Sequence, residues 1–218
     1  MKVTKILYGS QNFGYNIDSS DEDWMYIHVP SLEDIVINKE YRKEKTKENG
    51  TVIKHKDIRY LIHALDKGNF NDLQILFSKK SIDNDILDWF IKNRYELLST
   101  NLKRMYSSNK GYILSCIQKY NSTKDYKDYI RALCFYQLLI KVKSKQEFNF
   151  CNNELKTLRE KQEILIAPKD IISSVELLEH DFNKTLNENL MEEVKNQIGK
   201  IIINVNITVK KTTTINIF

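Results

Sequence analysis

Glycine and proline are scarce: 6 Gly and 2 Pro in 218 residues. That is too few for an all-β protein with many tight turns, and too few for a linker-rich array. Helix should predominate. The chain also lacks any run approaching the roughly 18 to 20 apolar residues of a membrane span. Its opening, MKVTKILYGS, has no apolar stretch followed by a small-residue cleavage site. These absences lead us to expect a cytoplasmic protein without membrane contact. The three cysteines, Cys116, Cys134 and Cys151, are odd in number and form no CxxC pair, so they read as buried free thiols. The four histidines (His28, His55, His63 and His180) show no HxxxH pairing and no zinc spacing with cysteine.

What is present is 41% hydrophobic and 29% charged residues, enough for one medium domain or two small lobes sharing a core. The net charge of +5 is unevenly spread. Residues 1–38 carry a net −4, residues 39–56 a net +4, and the stretch after Glu193 has four lysines and no acid. An acid cluster beside a basic strip can hold cations at one spot and attract phosphates around it. A charged loop and tail in solvent would have the same composition.

Short β-rich runs are expected over Val3–Tyr8, Trp24–Val29 and Thr51–His55, the last after an Asn49-Gly50 turn signal. Beyond them the period changes. Ile58, Leu61, Ile62 and Leu65, then Leu73, Leu76 and Phe77, recur at helical spacing, with Asn69 and Asn71 fixing the turn between. Further helices are expected over 84–98 with Asp83 or Asn84 as cap, and over 102–120, 126–142, 154–165 and 168–190. The 126–142 segment is the most apolar and should sit centrally. The β-branched end, IIINVNITVKKTTTINIF, reads as a strand or as disorder. The expected fold is α+β: a small mixed N-terminal sheet followed by a helical bundle. The expected units are 1–80, an α/β lobe; 81–195, a helical lobe; and 196–218, a basic tail.

The chemistry-bearing stretch is Gly9-Ser10-Gln11-Asn12-Phe13-Gly14, then Ser20-Asp21-Glu22-Asp23. A Gly-Ser turn between a strand and a short helix offers N–H groups and a hydroxyl to phosphate. Asp21 and Asp23, two apart on an incipient strand, would point to one side and suit hard divalent cations. Either half alone is common in proteins; the conjunction is specific.

The pattern GS-x3-G-x5-SD-x-D resembles the signature of the polymerase-β-like nucleotidyltransferase superfamily. The segment HKDIRYLIHALDKGNFNDLQILF (His55–Phe77) is similar to that of predicted nucleotidyltransferases of bacteria and phages, sometimes called the YcgL-like group. Farther on, Gly111-Tyr112, Gln118, Arg131 and Leu158-Arg159 fall in that group's order. The resemblance implies phosphate contacts from Gly9 and Ser10, two Mg²⁺ ions on Asp21 and Asp23, and an NTP substrate. The expected activity is transfer of a nucleoside monophosphate to a hydroxyl of RNA, a protein or a small molecule, with release of pyrophosphate. Lys54 and His55, on the third expected strand, would contact the nucleotide. Lys110, Lys119, Lys127 and Arg131 are further candidates for the cleft. One departure stands out: the superfamily's third carboxylate has no counterpart in Thr51–His55, leaving Glu48 and Asp57 as the nearest acids. The alternative is therefore a catalytically degenerate nucleotide-binding or protein-inhibiting module of the same fold. A third idea is an RNA-binding partner of a helical ribonuclease.

Overall fold

The computed structural model describes residues 2–46, 51–78, 81–82, 86–147 and 153–215. Asn49-Gly50, Glu48, the caps Asp83 and Asn84, and Cys151 lie outside the described residues. Alternation of apolar and polar side chains in β1 (Val3–Tyr8) and β2 (Asp23–His28) produces an antiparallel pair, in register from Val3↔His28 to Tyr8↔Asp23. β2 also pairs in parallel with β4 (Val52–Asp57), with Trp24 opposite Ile53 and Met25 opposite Lys54. β3 (Arg42–Thr46) and β5 (Ser81–Ile82) close the edges, giving a mixed sheet of order β3-β4-β2-β1-β5. The three expected strands are present to within two residues. The sequence RKEKT of β3 has no apolar residue to announce a strand, and its charges suit an edge where further pairing is unwelcome.

Ile6, Met25 and Ile27 lie on one sheet face and are buried. α1 (Ser10–Phe13) follows β1 and stops at Gly14, φ 76°. α2 (Leu32–Val36) opens with a reciprocal Ser31–Asp34 capping box. α3 (Tyr60–Lys67) ends at Gly68, and α4 (Phe70–Leu73) begins from Asn69, whose side chain accepts the Asn71 N–H. The expected capped turn between two helices is therefore present. A 3-10 turn over Gln74–Phe77 follows. The expected 84–98 helix is two short ones, α5 (Asp88–Lys92) and α6 (Arg94–Leu97).

The long pair α7 (Leu102–Thr123) and α8 (Tyr126–Lys143) forms the centre of the helical part, as the apolar density of α8 requires. Phe135 of α8 meets Phe13, Phe70 and Tyr112 at ring-centroid distances of 5.5, 5.6 and 4.4 Å, joining α1, α4, α7 and α8. α9 (Asn153–Lys161), α10 (Pro168–Leu177) and α11 (Glu188–Ile215) complete the chain. Residues of the sheet and of every long helix belong to one hydrophobic cluster. Through Ile215, the last described residue, the expected strand-forming or disordered end is instead the continuation of α11. Leu190, Met191, Val194, Ile198 and Ile202 are buried at spacings of three and four, so helical burial overrides β-branched propensity. Among the described residues no helix is long and apolar enough to cross a membrane.

Candidate functional site

β1 delivers the chain to Gly9, whose φ of 74° is open to glycine but strained for other residues. Its N–H donates to Gln74 Oε1 at 2.8 Å, and its carbonyl accepts from Asn12 and Phe13 N–H at 3.1 Å. Asn12 Nδ2 donates to the Gln74 carbonyl at 3.1 Å, so the fully buried Gln74 pins the turn from behind. A Cβ on Gly9 would stand 2.7 Å from Asp23 Oδ2. Glycine thus lets the turn lie directly against the carboxylate that opens β2. Asp23 Oδ1 accepts the Val52 N–H at 2.8 Å, fixing that carboxylate across the parallel pair.

Two residues beyond Val52, Lys54 extends to the same side of the sheet. Its Nζ is 3.4 Å from Tyr8 Oη, 3.6 Å from Glu44 Oε2 and 4.7 Å above the Tyr8 ring. Burial works against this ammonium, but Tyr8 and Glu44 outweigh it and raise the Lys54 pKa above its ordinary value. Across the cleft the Asn69 turn presents Asp72, which accepts a short hydrogen bond from Tyr60 Oη. Burial, then the Asp72 charge, holds that phenol protonated. From α8, Lys127 and Arg131 lie eight and four residues before Phe135 and share its side of the helix. Burial and the neighbouring Arg131 and Arg159 depress the Lys127 pKa, the mark of a cation crowded by cations.

Of these groups, Tyr8, Gly9, Asp23, Lys54, Asp72, Lys127 and Arg131 line a cavity of about 420 Å³. Its ionised lining comprises Asp23 and Asp72 against Lys54, Lys67, Lys127 and Arg131. Just outside, Arg159 Nη1 donates to the Tyr15 carbonyl at 2.9 Å and to Ser20 Oγ at 3.2 Å, tying α9 to the loop before β2. A larger hollow of about 530 Å³ lies around Tyr95, Leu102 and Phe182. It is less suited to chemistry, because two of its charged residues, Lys143 and Asp181, pair with each other at 2.8 Å.

Of the residues singled out in the sequence, Gly9, Ser10, Asp23 and Lys54 meet in the smaller cavity, joined by Lys127 and Arg131. Asp21 does not line it. β2 begins only at Asp23, so Asp21 belongs to the preceding loop, is exposed, and lines a separate hollow with Lys5, Trp24 and Tyr26. His55 is also displaced from its expected role: strand alternation turns it to the face opposite Lys54. There its Nδ1 lies 2.8 Å from His28 Nε2 and its ring stacks on Tyr26 at 5.1 Å. Asp57 is no substitute third acid, since its buried carboxylate accepts from the Arg59 N–H and guanidinium. Lys110 pairs with Glu179 at 3.4 Å. Asp72 and Lys67, which also line the cavity, had not been singled out in the sequence. For Asp72 the available signal was the Asn69 cap three residues before it.

Among the described residues no three His, Cys, Asp or Glu side chains cluster as a ready-made metal cage. The cleft's oxygen donors nevertheless suit a hard cation that arrives with phosphate. Mg²⁺ is commonly held by one or two carboxylates plus substrate oxygens. Comparison with protein-family models and with curated proteins finds no match to this chain.

Proposed function

We propose that the cleft binds a Mg²⁺–nucleoside triphosphate and transfers the nucleoside monophosphate to a hydroxyl acceptor, releasing pyrophosphate. The observation that carries this reading is the Gly9 turn packed against the Asp23 carboxylate inside a cavity where four cations face Asp23 and Asp72. Asp23 and Asp72 would hold the ion, which when bound supplies charge neutralisation of the phosphates and polarisation of the reacting phosphoryl group. Ser10 Oγ donates to a phosphate oxygen. Lys67, Lys127 and Arg131 balance the remaining negative charge and orient the chain of phosphates. Arg159 ties the loop before β2 to α9 through the Tyr15 carbonyl and Ser20. RNA, protein and small molecules are tested as acceptors in the same assay.

Incubation with α-labelled NTPs, with RNA or protein present, should give labelled acceptor and pyrophosphate. Asp23→Asn should lose transfer by at least a hundredfold while remaining folded, because the amide oxygen can still accept the Val52 N–H. Undiminished transfer by that variant refutes the assignment. Asp21→Asn, altering an exposed loop residue outside the cavity, should have the smaller effect of the two. One observation favours a second reading, a nucleotide-binding module without turnover: the cleft-side residue of β4 is Lys54 rather than an acid. Tight Mg²⁺–NTP binding with no pyrophosphate over hours would select it.

A further inference from the structure

We propose that the Lys54 ammonium serves as a built-in cation of the cleft, so that the nucleotide-loaded protein holds one divalent ion and not a pair. This rests on the nucleotide-binding reading above and departs from the two ions that the sequence resemblance implies. Two ions held close together need carboxylates free to bridge them. Among the described residues two carboxylates line the cleft, on different elements, and each has one oxygen already engaged: Asp23 Oδ1 by the Val52 N–H, Asp72 Oδ1 by the Tyr60 hydroxyl.

The neighbouring strand position is filled by a fixed positive charge. Lys54 stands opposite Met25 in the parallel register, and its side chain is 23% exposed. Tyr8 and Glu44 hold its Nζ at the distances given above, so it is not free to swing out and admit a second dication, which it would repel.

Mn²⁺ bound per bound nucleotide, counted by electron paramagnetic resonance with a non-hydrolysable triphosphate analogue, tests this without reference to turnover. The unmodified chain should hold one Mn²⁺. Lys54→Asp, which sets a carboxylate beside Asp23, should hold two. Lys54→Met, of similar length and uncharged, should keep one ion but bind the analogue at least tenfold more weakly. Two Mn²⁺ in the unmodified chain, or unchanged affinity in Lys54→Met, overturns this inference and leaves the nucleotide reading standing. Bound analogue without Mn²⁺, or no binding of the analogue at all, overturns both.

Discussion

At Gly9 two constraints coincide: a left-handed φ of 74° and an Asp23 oxygen 2.7 Å from where a methyl would stand. Gly9→Ala should therefore lower unfolding free energy by about 1–2 kcal/mol, measured in urea, and should also weaken triphosphate binding because the Asp23 carboxylate must move. A second residue-scale effect concerns His28. Burial, then the charge of His55, with Asp57 opposing, lowers its pKa from 6.5 to about 4. Between those values the unfolded chain binds the additional proton, so this contribution to stability is complete above pH 6.5 and is lost as pH falls toward 4. Urea midpoints should drop from pH 7 to pH 5, and His28→Gln should flatten that dependence; an unchanged slope would contradict it. At this scale the sequence was informative for Gly9, Ser10, Asp23 and Lys54, which are tied to a turn and to the strand it feeds. It misassigned His55 because adjacent strand residues face opposite ways, and which of the two faces the cleft depends on pairing with β2.

The turn between α3 and α4 carries Asn69, Asn71 and Asp72 into the cleft, and α7 holds it there. Asn109, fully buried, donates from Nδ2 to the Gly68 carbonyl at 2.9 Å and accepts the Phe70 N–H on Oδ1 at 3.0 Å. Asn109→Leu would strand both backbone groups and should cost about 2–4 kcal/mol, read by thermal or urea unfolding. At Gly68 an added Cβ would come within 2.6 Å of Met105 Cα, a backbone contact that cannot give way cheaply. Gly68→Ala should thus force α3 and α7 apart, lowering stability by about 2–4 kcal/mol. Helix positions were largely legible from apolar spacing. Two of the misreadings have a common cause: local propensity was weighed without the partner surface. RKEKT pairs as β3 because β4 offers it an edge. IIINVNITV continues α11 because residues upstream already commit that helix to burying one face.

Across the whole molecule, acid and base are sorted by the fold rather than by the chain. Asp23 from the acidic N-terminal stretch, Lys54 from the basic strip, and Lys127 and Arg131 from more than seventy residues later converge on one cavity. Asp23 belongs to a local motif, and Lys54 to the third expected strand. That Asp72 and the α8 cations reach the same cavity depends on how α4 and α8 dock around Phe135. Arg159 spans the two parts through the Tyr15 carbonyl and Ser20. Loss of hydrogen bonds from a charged donor is worth about 1.5–3 kcal/mol, so Arg159→Met should weaken triphosphate affinity by about tenfold or more without unfolding the chain. The most direct measurement is calorimetric titration of a non-hydrolysable NTP analogue into the full chain, with Mg²⁺ and with chelator. Saturable binding at one site, dependent on Mg²⁺ and reduced at least a hundredfold by Asp23→Asn in a protein of unchanged unfolding midpoint, is the expected result. Absence of binding, or equal affinity in Asp23→Asn, would contradict the claim that this cleft holds a metal-bound triphosphate.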